Sequence, residues 1–73
     1  MSDKDLAYYL SLPYAITLVP TNNGWFAKIN DLPGCMTYGE SKEEVLTLIE
    51  DAKLTWLSAM LEEGQPIPEP QPI

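Results

Sequence analysis

Ser41-Lys42-Glu43-Glu44-Val45-Leu46-Thr47-Leu48-Ile49-Glu50-Asp51-Ala52-Lys53-Leu54-Thr55-Trp56-Leu57-Ser58-Ala59-Met60-Leu61-Glu62-Glu63-Gly64 is the stretch that decides the fold. Its opening Ser-x-x-Glu is a capping box: the Ser41 hydroxyl accepts from the amide of Glu44 while the Glu44 carboxylate reaches back to an amide before the helix. Glu40, Glu43 and Glu44 put negative charge at the positive end of the helix dipole. The spacing predicts one long helix from Ser41 to about Glu63, with Gly64 as the residue past its end.

At about 100° per residue, Val45, Leu48, Ile49, Ala52, Trp56, Ala59 and Met60 fall on one stripe roughly 120° wide, which is expected to pack on a sheet. Leu46, Leu54, Leu57 and Leu61 project on an adjacent sector that a single sheet does not cover. Either the N-terminal segment or the C-terminal tail folds over them, or a second subunit does, so these leucines are a candidate oligomer interface.

Upstream of the helix, residues 14–19 alternate, with Tyr14, Ile16 and Leu18 on one face and Ala15, Thr17 and Val19 on the other, which predicts a strand. Pro20-Thr21-Asn22-Asn23-Gly24 is expected to reverse the chain, because Asn and Gly tolerate the positive φ of tight hairpins. A second strand follows over 25–29, with Trp25, Ala27 and Ile29 opposite to Phe26 and Lys28. Asn30-Asp31-Leu32-Pro33-Gly34 breaks the alternation, and a short third strand is expected over 35–38. Before the first strand, residues 1–12 read as a lead-in with one or two helical turns that stop at Pro13. After the helix, Pro66, Pro68, Pro70 and Pro72 give an extended segment, with a short edge strand expected around 66–68 and a frayed tail over 69–73. The expected fold is a single α+β domain over 1–73, β-β-β-α-β in order, with one helix on one face of a small antiparallel sheet.

Composition narrows the function. The 73 residues carry 11 acidic and 4 basic side chains, no His and one Cys, for a formal charge of −7. Such a chain repels phosphate backbones and attracts a basic partner protein. Cys35 has no second Cys for an internal disulfide, and without His there is no zinc-ligand cluster and no Ser–His or Cys–His pair. No apolar run reaches the roughly 20 residues that span a bilayer, and the start lacks the features of a signal peptide. The expected setting is the reducing cytoplasm, with no membrane and no cofactor.

Two groups deserve a chemical reading. Asp31, Glu40, Glu43 and Glu44 lie close in sequence, and clustered carboxylates can hold Mg²⁺ in nucleases. The competing account is a loop Asp plus a capped helix start, and adjacent Glu43 and Glu44 diverge by about 100°. Cys35 follows a Gly and precedes a helix, a place that can activate a thiol, yet no His serves as its base. A small strand residue accounts for it as well. No enzyme site assembles from these residues. The catalytic, metal and cofactor sets are therefore empty.

Gly24-Trp25-Phe26-Ala27-Lys28-Ile29, Leu32-Pro33-Gly34-Cys35-Met36-Thr37-Tyr38-Gly39-Glu40-Ser41, Glu43-Glu44-Val45-Leu46 and Gly64-Gln65-Pro66-Ile67-Pro68-Glu69-Pro70 together resemble the HicB-like antitoxin family, over about residues 13–70. The resemblance implies a partial RNase-H-like domain that binds a small basic HicA toxin, an mRNA-cleaving protein, and covers its RNA-binding surface. It also implies dimers or higher oligomers. Asp31, Leu32, Pro33, Gly34, Cys35 and Glu40 carry the motif and are the candidate toxin contacts. Full-length members often add a C-terminal DNA-binding module, which is expected to be absent here, and RNase H chemistry is not implied. Two other readings are an orphan oligomeric scaffold or ligand sensor, and a metal-dependent nuclease using Asp31, Glu40 and Glu44.

Overall fold

A computed structural model describes residues 4–70. The outer ends of both terminal segments, residues 1–3 and 71–73, lie outside the described residues. The elements run α1 (Leu6–Leu10), β1 (Ile16–Thr21), β2 (Gly24–Ile29), β3 (Met36–Gly39) and α2 (Lys42–Glu63). The three strands form an antiparallel meander in the order β1-β2-β3. One long helix packs on β2 and β3, so the α+β architecture and the order β-β-β-α agree with the sequence reading.

The boundaries of α2 follow the local chemistry. Ser41 is the N-cap, its hydroxyl accepting from the Glu44 amide at 3.1 Å. The Glu44 carboxylate reaches one residue further back than in a standard capping box and accepts from the Glu40 amide at 3.0 Å. At the other end Gly64 adopts φ +67°, and the amides of Gly64 and Gln65 donate to the carbonyls of Leu61 and Met60.

The buried face of α2 is rotated from the expected stripe. Val45, Ile49, Lys53 and Leu57 form the buried row, each four residues from the last. Such a row drifts about 40° per step around the helix, so the buried face winds around α2 and is not a straight stripe along it. Leu48 is consequently exposed, while Ala52, Trp56, Ala59 and Met60 are half-buried at the margin. Lys53 falls within the apolar row. Its stem is buried, and its ammonium meets the exposed carboxylate of Glu50 at 3.1 Å. Leu57 lies wholly in the core and Leu61 is half-buried against it; α1 packs on α2, and Tyr9, Tyr14 and Ile67 join the same cluster. A single chain therefore covers those two leucines.

Three strand details differ from the sequence reading. β1 begins at Ile16 because Tyr14 turns its ring into the core, where its hydroxyl donates to the Pro68 carbonyl at 2.6 Å. β3 starts one residue later than expected, since Cys35 is held in the preceding turn. Asn22 and Asn23 close the hairpin between Thr21 and Gly24, yet neither has positive φ, nor does Gly24. Gly24 is needed for another reason: a Cβ there would run into the Gly39 carbonyl oxygen.

The expected edge strand around 66–68 does not form. Alternate prolines leave too few amides for a ladder, and side chains hold the tail instead. Besides the Tyr14 bond, the Tyr8 hydroxyl donates to Glu69 at 2.9 Å and the Lys4 ammonium meets the same carboxylate at 3.0 Å. α1 supplies Tyr8 from a short helix capped by Asp5, whose carboxylate accepts from the Tyr8 amide at 3.0 Å. No helix among the described residues is long and apolar enough to cross a membrane.

Three outcomes are expected from this packing. A Cβ on Gly39 would lie 2.7 Å from the Val45 amide nitrogen and 2.8 Å from its Cα, so Gly39→Ala forces the first turn of α2 off the sheet. Urea denaturation should show a loss of about 1–3 kcal/mol, and a loss under about 0.5 kcal/mol contradicts that seating. The Trp56 indole donates to the Pro33 carbonyl at 2.9 Å, fastening α2 to the β2–β3 connection. Trp56→Phe should cost about 1–2 kcal/mol, and a neutral result means water replaces the bond. Finally, desolvation pushes the Tyr14 hydroxyl up to about 12, while Lys4 and Tyr8 hold the Glu69 carboxyl below its ordinary range. Between about pH 10 and 12 the unfolded Tyr14 loses its proton while the folded one keeps it, so stability should fall as pH rises there. The Glu69 contribution is present above the ordinary carboxylate range and is lost as pH falls through its lowered value. Melting curves should show both losses, and Glu69→Gln should remove the acid one and lessen the alkaline one, because the Glu69 charge helps burial to raise the Tyr14 hydroxyl.

Candidate functional site

Leu32, Pro33, Gly34 and Cys35 form a tight turn closed by a bond from the Cys35 amide to the Leu32 carbonyl at 3.0 Å. Pro33 occupies the second position and Gly34, at φ +84°, the third, which is the type II arrangement. Leu32 and Cys35 anchor the turn in the core at 1% and 3% exposure. The Leu32 amide donates back to Ile29, and the Ile29 amide donates to Cys35. Trp56 bonds to the Pro33 carbonyl from outside. Of the motif residues, only half-buried Asp31 and exposed Pro33, Gly34 and Glu40 offer surface to a partner.

Cys35 is no nucleophile in this setting. Burial pushes its thiol up, against a smaller opposing effect from the Lys53 ammonium. Its place is that of a small core residue.

Sequence neighbours among the carboxylates are separated in space. Asp31 follows the end of β2, whereas Glu40 follows β3 at the opposite end of the sheet, where Gly39 pairs with Trp25. Among the described residues, no three His, Cys, Asp or Glu side chains converge on a point that could hold a metal. Glu44 is engaged in capping. The chain thus separates Asp31 from Glu40 and Glu44, the set a nuclease would require together.

At the Glu40 end lies a shallow depression of about 330 Å³, lined by Thr21, Asn23, Gly24, Tyr38, Gly39, Glu40 and Glu44. The hairpin supplies one wall and the first turn of α2 the other. The Tyr38 ring is 67% exposed and packs against Phe26 with centroids 5.1 Å apart. On the other face of β2, the Lys42 ammonium lies 5.8 Å from the centre of the Trp25 ring. Two carboxylates next to an aromatic face suit a cationic side chain, through charge and through the ring's quadrupole. Tyr38 and the hairpin residues escaped the sequence reading of the site. The alternation in β2 put Phe26 on the face opposite Ala27, and extending it across the register to Tyr38 would have found them.

The leucine set divides. Leu46 and Leu54 are exposed, at 36% and 39%, whereas Leu57 has no exposed surface and Leu61 is half-buried. Glu43 and Glu50 share the sector of Leu46 and Leu54 on the helix. The result is a mixed surface with little continuous apolar area.

These features coincide with known proteins. Residues 13–73 match the family described as HicB-like antitoxin of bacterial toxin-antitoxin systems. The chain is 33% identical over 64 residues to Antitoxin HicB 1 of Photorhabdus laumondii subsp. laumondii, covering 86% of this chain and 41% of that protein. It is 33% identical over 61 residues to Antitoxin HicB of Escherichia coli K12, covering 82% of this chain and 44% of the relative. An uncharacterized 14.9 kDa protein of Haemophilus phage HP1 is 28% identical over 60 residues, covering 82% of this chain and 45% of that protein. The chain spans less than half the length of these curated relatives. By the match over 13–73, which takes in the Leu-Pro-Gly-Cys turn, the capped helix and the proline tail, the chain belongs to the HicB-like antitoxin family.

Proposed function

We propose that this domain neutralises a small basic HicA-type toxin by binding it, with no catalytic activity of its own. The supporting observation is the placement of charge. The three strands hold none of the acidic side chains, which gather in the loops, on α2 and at the two chain ends. A net charge of −7 spread in this way presents a basic protein with a surface that imitates the phosphates it would otherwise engage. Asp31 on one side and Glu40, Glu43 and Glu44 on the other are the groups we assign to that contact. The depression beside Tyr38 receives a Lys or Arg of the toxin. Leu32 and Cys35 contribute by holding the turn in shape.

The same charge argues against this domain gripping DNA, so we attribute no operon repression to it. We place its action in the cytoplasm, where the mRNA cut by such a toxin lies and where the unpaired Cys35 stays reduced.

The test is to co-express the domain with small basic reading frames adjacent to its gene and to measure binding of any toxin that is silenced. Rescue of growth and co-purification are expected. Glu40→Lys with Glu43→Lys should slow association about tenfold or more and flatten its salt dependence. If no neighbouring basic protein is toxic, or none is rescued, the antitoxin reading of this chain fails.

A further inference from the structure

The pairing pattern fixes which backbone groups of the sheet point outward. Thr21 and Gly24 flank a two-residue turn and exchange hydrogen bonds, and every second pair along the ladder does the same, Val19 with Phe26 and Thr17 with Lys28. The bond from the Asn30 amide to the Ala15 carbonyl continues that series. Ile16, Leu18 and Pro20 therefore turn their backbone groups away from β2, to the outer edge of β1. On the other side the Ile29 amide donates to the Cys35 carbonyl, which makes Ala27 with Thr37 and Trp25 with Gly39 the bonded pairs. Met36 and Tyr38 consequently each turn an amide and a carbonyl outward. Among the described residues no strand lies beyond β3 to meet them.

The two edges are not alike. Pro20 takes an outward position on β1 and has no amide to offer, and the tail is fastened to Tyr14 just before that strand. β3 has neither a proline nor a charge over Met36–Gly39, and its outward residues Met36 and Tyr38 are 52% and 67% exposed. Such an edge is a template for another strand.

We propose that the outer edge of β3 accepts an extended, cationic segment of the partner protein as a fourth strand. This rests on the reading that the partner is a basic toxin, and adds how the contact is made. Charge selects the occupant. Glu40 follows β3 directly, Glu43 and Glu44 open the next helix, and Asp31 lies before the strand at its other end. A cationic strand is drawn to both ends, whereas a second copy brings its own carboxylates against them. Backbone bonds to Met36 and Tyr38 supply affinity, and alternate side chains supply specificity. A strand beside β3 lies about 4.8 Å away, and its side chains on the Tyr38 face are the ones delivered to the depression next to Glu40.

Amide hydrogen exchange tests the edge directly. In the free chain the Met36 and Tyr38 amides should exchange fast while Thr37 and Gly39 are protected. Binding of a toxin found by co-expression should protect Met36 and Tyr38. Met36→Pro gives β3 the guard that Pro20 gives β1 without removing a bond to β2, so it should melt near the parent and bind the toxin about tenfold more weakly or worse. A silenced toxin that binds Met36→Pro as well as the parent, or that leaves both amides unprotected, overturns the edge contact and leaves the antitoxin reading standing. If no toxin is found, that reading fails and the edge is judged on the peptide Lys-Val-Arg-Val-Lys-Thr at millimolar concentration. Protection of Met36 and Tyr38 that is lost when alternate peptide amides are N-methylated upholds the proposal, since the methylated peptide keeps every charge. No protection, equal binding of the methylated peptide, or protection already present in the free chain overturns it, the last by assigning the edge to a second copy.

Discussion

Val45, Ile49 and Leu57 on one ridge of α2, together with Ala27, Ile29, Leu32 and Cys35 of the sheet and its loop, make up most of what is wholly withdrawn from water in this chain. A three-stranded meander has no second layer of its own, and a helix of 22 residues draws most of its stability from packing its apolar face. Each supplies the other's missing partner. Gly39 sets how closely they approach, because the first turn of α2 lies against a strand residue that has no side chain. The Leu-Pro-Gly-Cys turn then makes sense as a fastening: it brings two small anchors under the helix and presents one carbonyl to Trp56.

Where a feature depends on neighbours in sequence, it could be read in advance. Ser41 and Glu44 cap α2, Gly64 ends it in the left-handed region, and the alternation over 25–29 assigns β2 its faces, because each is settled by groups a few residues apart. Features that depend on how elements cross could not. Placing Leu48 in the sheet-facing stripe and Leu57 beyond it assumed a straight buried stripe, whereas the buried row follows the four-residue ridge and takes Lys53 with it. Pro66 to Pro70 were legible as extended, but their partners, Tyr8 and Tyr14, come from the far end of the chain. The candidate site divides in the same way. Glu40 and Asp31 were identifiable as exposed acids, while their placement at opposite ends of the sheet depended on the register.

Charge and hydrophobicity are separated to an unusual degree for so short a chain. Acidic side chains occupy the loops, the helix and the ends, and the open sheet face has only Lys28. The carboxylates next to the sheet sit at its ends, near Asp31 and Glu40, where a contact steered by charge is felt at long range and weakened by salt.

The bond from Tyr14 to Pro68 joins residues 54 apart in the chain, and the contacts of Tyr8 and Lys4 with Glu69 span still more. Closing so long a loop means that neither end is held by its own local structure alone, since α1 has five residues and the tail has no ladder; the packing of α1 on α2 and of Tyr9, Tyr14 and Ile67 in the core completes the attachment. The two ends are therefore secured as a pair, and whatever loosens the tail also removes polar contacts from the helix at the beginning of the chain.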